Sequence, residues 1–528
     1  MELPKQYDST KVEEKIYQKW EASGYFDPDN LPLPADAPVF SIMMPPVNVT
    51  GVLHLGHALE NAIMDTEIRY QRMRGKRAFI LPGTDHAAVA TQAKVEQELI
   101  KSGQYKNPRA ELGREKLLKI IREYAENSQT TILSQIKKMG TSCDWSRLAY
   151  TFDQQREKAV NEMFIRMYND GLIYRGHRVV NWSVKGQSTL SDDELEYKEQ
   201  PGKLYTFKYS RDFPIPIATT RPETKLGDTA VAVNPDDPRY AQYVGAEFEI
   251  EVGAKKPLQI KVIADDAVDP TFGTGALGVT PAHSQIDFEL KEKHGLKLVQ
   301  IIDRYGRMTE EAGTEYAGLK VLEARDKFVD YLKERGLLIK EEEIIQNVGA
   351  SDRFGDVVEV IPMLQWFVDV NKRIPGRNKS FKDLMKEVFT TGLDGDANQK
   401  IKITPERFEK SYFNWIDNLR DWCISRQIWW GHQIPVYYKK QLTINKEQGV
   451  DITYFVHSTT TDNQQDLRTG WNGGEYGEKG EKQNQELKKI IREESAITAI
   501  LMANLKINLK KKNITLIIRT QTARVIMM

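Results

Sequence analysis

Val39-Phe40-Ser41-Ile42-Met43-Met44, Pro45-Pro46-Val47-Asn48-Val49-Thr50-Gly51 and Val52-Leu53-His54-Leu55-Gly56-His57-Ala58-Leu59 follow one another without a break and decide the fold. The first piece is apolar and strand-like, and the second reads as a tight turn. From Leu55, the residues Leu55, Ala58, Leu59, Ala62 and Ile63 recur at helical spacing, and the pattern ends near Gly75. A second apolar run, Ala78-Phe79-Ile80-Leu81, breaks into Pro82-Gly83-Thr84-Asp85-His86. Strand, turn, helix, strand, turn predicts a βαβ unit whose polar turns lie at strand ends, the edge where open parallel sheets bind ligands. His54 and His57 share one face of a helix start beside backbone N–H groups, which suits a polyanion such as a triphosphate. A His-x-x-His pair is also common as plain structure, and with Asp85-His86 it is compatible with a metal site. The Gly-x-Gly-x-x-Gly fingerprint is missing, so the pattern gives no support to dinucleotide binding.

At 528 residues the chain is long enough for two or three domains. Lys plus Arg and Asp plus Glu balance at 75 each, so an RNA-binding surface would have to be local. The cluster Arg69, Arg72, Arg74, Lys76, Arg77 is one candidate, and a solvated helix end explains it equally well. Cys143 and Cys423 are the only cysteines, which fits a reducing cytoplasm rather than a disulfide framework. No signal-peptide core opens the sequence and no apolar run spans a bilayer, so a soluble, cytoplasmic chain with no membrane partner is expected.

Residues 9–24 predict a helix with Val12, Ile16, Tyr17 and Trp20 on one face. A Pro-rich link then leads into the first strand. After Gln92 a charged helical region runs to about Met139, with Leu117, Leu118, Ile120, Ile121 and Tyr124 as its core. From Glu199, short strand-like runs alternate with turns, as in Leu204–Phe207, Ala230–Val233 and Ile260–Ile263, which predicts a β-rich insertion inside an α/β domain. The α/β texture returns past Ile345. Beyond Lys440 the composition shifts to Gln, Asn, Thr, Gly and Lys, which commonly stays disordered.

The stretch Pro45 to Leu59 resembles the signature of class I aminoacyl-tRNA synthetases. Its Asn48-Val49-Thr50-Gly51, with Pro82-Gly83-Thr84-Asp85-His86 and Ala90-Thr91-Gln92, is similar to the valyl-tRNA synthetases in particular. The resemblance implies a Rossmann-like catalytic domain in two parts, residues 1–198 and 346–440, interrupted by an editing domain at 199–345. The remainder, 441–528, is expected to be a disordered or out-of-frame tail. The implied activity is ATP-dependent activation of valine and its transfer to valine tRNA, by a monomer. ATP would arrive with Mg²⁺ held mostly by phosphates and water, with no tightly bound metal. His54 and His57 are the implied donors to phosphate oxygens, with Gly56 letting the adenine end approach the backbone and Asn48 and Thr50 reaching phosphates or amino acid. Asp85 would hold the substrate ammonium, while Pro45, Pro46, Asn48, Trp366 and Trp429 would line the amino-acid pocket.

A pocket that fits valine cannot strongly reject isosteric threonine, which is the problem that an editing domain answers. Thr219-Thr220-Arg221-Pro222-Glu223-Thr224 and Gly273 to His283 resemble that domain's pocket. Arg221 would grip the terminal adenosine of the tRNA. Thr280 and Asp287 would bind threonine and the attacking water. Gly278 stands where the family pattern has a lysine, and Ser284 where it has an aspartate, so charge is expected to be lost from this pocket. No Lys-Met-Ser-Lys-Ser run and no Asp-Thr-Trp-Phe segment occurs, so activation by this chain is expected to be impaired. The rival readings are a residual editing hydrolase, a non-catalytic nucleotide- or RNA-binding fragment, and the non-functional product of a disrupted gene.

Overall fold

The computed structural model describes residues 7–445 and 449–457, with side chains through residue 436. The chain forms two compact units, residues 1–433 and 434–528. Helix α1 (Ser9–Ala22) buries only Tyr17, whereas Val12, Ile16 and Trp20 stay exposed, with Arg69 lying over the Trp20 ring. The Tyr17 hydroxyl donates to Thr141 O at 2.8 Å.

Strand β1 (Val39–Met43) leads into β2 (Val47–Asn48), helix α2 (Leu55–Met73), β3 (Arg77–Leu81) and β4 (Gly83–Asp85). β1 and β3 are parallel, in register from Val39↔Arg77 to Met43↔Leu81, so the βαβ unit expected from the sequence is present. The segment read as a turn contains β2, which pairs in parallel with β4, Asn48 facing Asp85. Pro45 and Pro46 have no N–H to give, so they interrupt the ladder without ending it. Met44 N–H to Leu81 O (3.0 Å) and Val49 N–H to Asp85 O (2.9 Å) carry the pairing across the gap.

Helices α3 (Ala88–Lys101) and α4 (Pro108–Lys138) follow, then β5 (Ala149–Tyr150), which adds to β4, and α5 (Gln154–Asn169). Met44, Val47, Val49, Ala78 and Ile80 from the strands pack with Ile68 of α2 and with Leu117, Ile121, Ile132 and Ile136 of α4. Fully burying an aliphatic side chain of this kind contributes about 1.5–3 kcal/mol. The apolar stripe that signals α2 in the sequence is not its packed face: Leu55 is 88% exposed, and Leu59 and Ile63 are 64% exposed. Val39 and Met43 of β1 are exposed as well, and among the described strands β1 pairs with β3 alone.

Strand β6 (Ile173–Ser183), the short β7 (Ser188–Leu190) and the long β8 (Leu195–Phe207) lead into the β-rich part. There β9 (Ile217–Thr219) pairs with β8, and β10 (Ala230–Val233), β11 (Glu247–Ile250), β12 (Leu258–Ala264) and β13 (Ala276–Val279) form a sheet in the order β11-β12-β10-β13. Helices α6 (Gln285–His294) and α7 (Val321–Glu334) follow, and β14 (Leu338–Ser351) returns antiparallel to β8 from Phe207↔Leu338 to Leu195↔Ser351. This two-strand arm carries the chain both into and out of the module. Phe207, Phe213, Ile260, Ile301, Phe328 and Leu332 give it a core of its own. β15 (Glu359–Val368) then rejoins β6, and helices α8 (Phe381–Thr390) and α9 (Glu409–Asp417) precede β16 (Trp422–Cys423), completing the order β16-β15-β6-β7. The fold is therefore mixed α/β with open sheets and a β-rich insertion.

In the second unit, β17 (Tyr437–Asn445) and β18 (Gly449–His457) are antiparallel. Residues 441–445 and 449–457, expected to be disordered, thus lie in strands, in keeping with the β-branched and aromatic run Ile452-Thr453-Tyr454-Phe455-Val456. The rest of the expected tail, 446–448 and 458–528, lies outside the described residues. No helix among the described residues is long and apolar enough to cross a membrane.

Candidate functional site

The start of α2 is built by its own histidines. His54 is the N-cap, in extended backbone, and its Nδ1 accepts from Gly56 N–H at 3.1 Å. His57 reaches back, its Nδ1 accepting from His54 N–H at 3.2 Å. Two helix-end donors are thereby satisfied reciprocally, so the N–H groups of His54 and Gly56 are not free for a ligand as the spacing alone suggests. With Nδ1 as acceptor, each neutral ring carries its proton on Nε2. Burial, and then the neighbouring His54, hold His57 below the ordinary imidazole range, so it is a neutral donor near pH 7. The two ring centroids are 3.9 Å apart. Gly56 is needed for this: a Cβ there would lie 2.9 Å from His54 Cε1. The preceding turn is pinned to α4, Tyr124 donating to Thr50 O (2.9 Å) and Gln135 accepting from Leu53 N–H (2.9 Å). Pro45, Pro46 and Asn48 are exposed.

Asp85 ends β4, in register with Asn48. Its Oδ1 accepts from the Thr151 hydroxyl (2.6 Å) and from Ala87 N–H (3.1 Å), with His86 Nδ1 at 3.3 Å. Burial pushes this carboxyl up, but the His86, Thr151 and Ala87 contacts outweigh it and hold the pKa at about 2. Asp85 is therefore an anion, its side chain 31% exposed. Among the described residues no donor is assigned to its Oδ2. Asn48 and Asp85 are thus the last residues of the adjacent parallel strands β2 and β4, and the His54–His57 helix start follows β2 along the chain.

The two tryptophans singled out in the sequence divide. Trp366 is buried on β15, its ring against Phe164 and Tyr168 of α5. Trp429 and Trp430 are brought to the βαβ unit by Gln92, whose Oε1 accepts from both of their N–H groups, at 2.8 and 2.9 Å. It is the Trp430 indole that reaches the Asp85 strand end, donating to His86 O at 3.1 Å. Phe152 stacks on His86 (4.9 Å) and meets Trp430 (5.1 Å) and His432 (5.0 Å). A cavity of ≈ 410 Å³ opens here, with Gln129, Tyr150, Phe152 and Trp430 in its lining. Sequence reasoning missed Thr151, Phe152, Trp430 and His432 as parts of this cluster. Trp430 and His432 stood in the aromatic run already noted, while Thr151 and Phe152 carry no local signal.

In the β-rich module, Arg221 is engaged by carboxylates, Nε with Glu223 (3.2 Å) and a terminal nitrogen with Glu359 (2.7 Å). Thr219 Oγ1 accepts from Arg221 N–H at 3.0 Å, and the neighbouring Thr220 is partly exposed. Thr280 and Asp287 are together: Thr280 N–H donates to Asp287 Oδ2 at 2.7 Å. The Thr280 hydroxyl donates to buried Asp228 and accepts from Lys225 at 2.8 Å. The Lys225 ammonium also donates to the Gly278 carbonyl, at 2.6 Å. Ser284 is the N-cap of α6, its Oγ accepting from Asp287 N–H at 3.3 Å. The basic cluster near α2 is largely occupied within the chain: Arg69 by Asp65 and Gly140 O, Arg72 by Ala78 O and Ser142, and Arg77 by Asp29. Among the described residues no three His, Cys, Asp or Glu side chains converge as metal ligands.

A family model for class I tRNA synthetases (I, L, M and V) matches residues 15–492, and the chain belongs to that family. The match runs past Lys440, where the recognisable motifs end. The valine–tRNA ligase of Clostridium acetobutylicum is 44% identical over 442 residues, 83% of this chain and 47% of its own length. That of Clostridium perfringens is 45% identical over 440 residues, 82% of this chain and 47% of its own length. That of Carboxydothermus hydrogenoformans is 46% identical over 439 residues, 83% and 47% respectively. The chain spans about half the length of the curated relatives it matches.

Proposed function

We propose that the protein activates valine with ATP and transfers it to valine tRNA, and that its β-rich module hydrolyses threonyl ester made in error. Residues 1–198 and 346–440 are assigned to catalysis and 199–345 to editing, in a monomeric enzyme of the cytoplasm. The observation that supports this most is the His54–His57 capping pair, whose Nδ1 atoms are taken up by backbone N–H groups and whose Nε2 atoms are left to donate, at the start of the helix that follows β2, the strand paired with the one that ends on ionised Asp85.

Activation is an in-line attack of the amino-acid carboxylate on the α-phosphorus of ATP, so positioning and charge stabilisation supply the rate. His54 and His57 donate from Nε2 to phosphate oxygens without adding a full charge, the arrangement best suited to charge that grows in the transition state. Gly56 keeps that surface low enough for the nucleotide. Asp85 Oδ2 accepts from the substrate ammonium, and Asn48 and Thr50 reach the phosphates or the amino acid. Pro45, Pro46 and Trp429 bound the side-chain pocket, with Trp366 behind it. Mg²⁺ would come as a companion of the nucleotide, held by phosphate and water. In the module, Thr219, Thr220 and Arg221 meet the tRNA end, and Thr280 and Asp287 meet threonine and water. Calorimetry with a non-hydrolysable valyl-adenylate mimic tests the first site. Asp85→Asn is expected to weaken binding at least tenfold, and binding as tight as the parent's would remove Asp85 from the pocket.

A further inference from the structure

Lys225 is the one buried ammonium in the Thr280 network, and none of the roles assigned above uses it. It lies in the short helical turn Pro222–Gly227 and is 5% exposed. Its Nζ donates to Gly278 O (2.6 Å), Thr280 Oγ1 (2.8 Å) and Asp228 Oδ1 (3.3 Å). Three donors meet three acceptors, the full capacity of an ammonium group. Asp228 accepts on its other oxygen from the Tyr209 hydroxyl. Position 278, where the family pattern has a lysine, is closed to a side chain. A Cβ there would lie 2.5 Å from Asp228 Oδ2, 2.6 Å from Tyr209 Oη and 2.9 Å from Ile217 Cδ1. The missing side chain at 278 and the lysine from 225 therefore meet at one point, the carbonyl of Gly278.

We infer that Lys225 is the positioning cation of the candidate editing pocket, supplied from residue 225 instead of 278, and that Lys225 and Gly278 form one coupled pair. The chemical role rests on the editing reading; the coupling does not. Lys225 orients Thr280 by donating to its hydroxyl, which leaves that hydroxyl's own proton directed at Asp228. It also keeps Asp228 an acceptor. The groups facing Asp228 are Lys225, the hydroxyls of Thr280 and Tyr209, and the like-charged Asp287. Burial pushes Asp228 up to about 6 even with Lys225 opposing it, so removal of the ammonium takes it higher still. A protonated Asp228 carries its own proton on one of the two oxygens that accept from the Thr280 and Tyr209 hydroxyls, so one of those bonds must rearrange and the Thr280–Asp287 geometry loosens.

The test compares the parent chain with K225M, G278K, K225M/G278K and K225M/D228N, by urea unfolding and by single-turnover hydrolysis of threonyl-tRNA(Val) at high protein across pH 5.5–9. Hydrolysis by the parent is expected to rise through about pH 6, and in K225M this limb should move up by at least one unit, at least about threefold slower at pH 6.5 but near parental at pH 9. K225M/D228N removes both charges, so it should fold even where K225M does not, and it should lack the limb. G278K should lower the urea midpoint more in the parent than in the K225M background, because two ammonium groups then compete for one seat. An unmoved pH limb, or purely additive midpoints for the two sites, overturns the inference. A parent chain that hydrolyses no faster than the spontaneous rate refutes the editing reading, while the unfolding cycle still decides the coupling.

Discussion

Gln92→Leu should release the aromatic segment that closes the Asp85 site. Gln92 is fully buried, and its Oε1 accepts from the N–H groups of Trp429 and Trp430. Leucine keeps most of the volume and removes the acceptor, which leaves the N–H groups of buried Trp430 and half-buried Trp429 without it. A buried donor without a partner costs about 1–3 kcal/mol, so the pair costs about 2–4 kcal/mol after partial relaxation. That is about a 30- to 900-fold rise in the opening equilibrium of this segment. Hydrogen exchange followed by mass spectrometry on the peptide 425–433 reads it directly. The Trp429 and Trp430 amides should exchange faster by that factor, while the β6–β15 ladder keeps parental protection. Binding of the valyl-adenylate mimic should weaken in parallel, because Trp430 and Phe152 wall the adjoining cavity. Unchanged exchange at Trp429 and Trp430 in Gln92→Leu would mean that packing, and not the glutamine, seats this segment.

His57→Ala removes a helix-cap acceptor as well as the proposed phosphate donor, so it should cost about 0.5–2 kcal/mol by urea unfolding and also weaken binding of the adenylate mimic; a loss of stability alone would leave the histidine purely structural. Asp85 is held at about 2, below the ordinary carboxylate value of 3.8, so its contribution to stability is present above about pH 4 and lost as pH falls toward 2. Acid unfolding of Asp85→Asn should accordingly be shallower over that window, and a superimposable acid limb would refute the assignment. Leu59→Glu should change stability by less than about 0.5 kcal/mol, since the side chain faces solvent; a loss above about 1.5 kcal/mol in chemical unfolding would show that α2 packs through its apolar stripe after all.

The βαβ unit was legible because its signals are local. An apolar run, two prolines, a helix-start His-x-x-His and a second apolar run fix strand, turn and helix whatever else the chain does. The β-rich character of the insertion was equally legible, since period-two alternation between turns needs no tertiary knowledge. His54, His57 and Asp85 stood out locally because each sits at a strand or helix end, and the roles expected of them came from the resemblance to the synthetase signature.

Three things depended on tertiary contacts and stayed hidden. Which face of α2 is buried follows from α4 and β3, which reach Ile68 and leave Leu59 outside. The partners of Asp85 follow from β5 and the following loop, which carry Thr151 and Phe152 to the end of β4 from more than sixty positions along the chain. The cation of the Thr280 network comes from residue 225, which the pattern at 278 had seemed to exclude. Hydrophobic periodicity and caps are set by neighbours within a few residues, and a sequence states them outright. The position of a charge is set by where a flexible side chain finds acceptors, so the place of Lys225 is visible only after the fold has brought its ammonium to the Gly278 carbonyl.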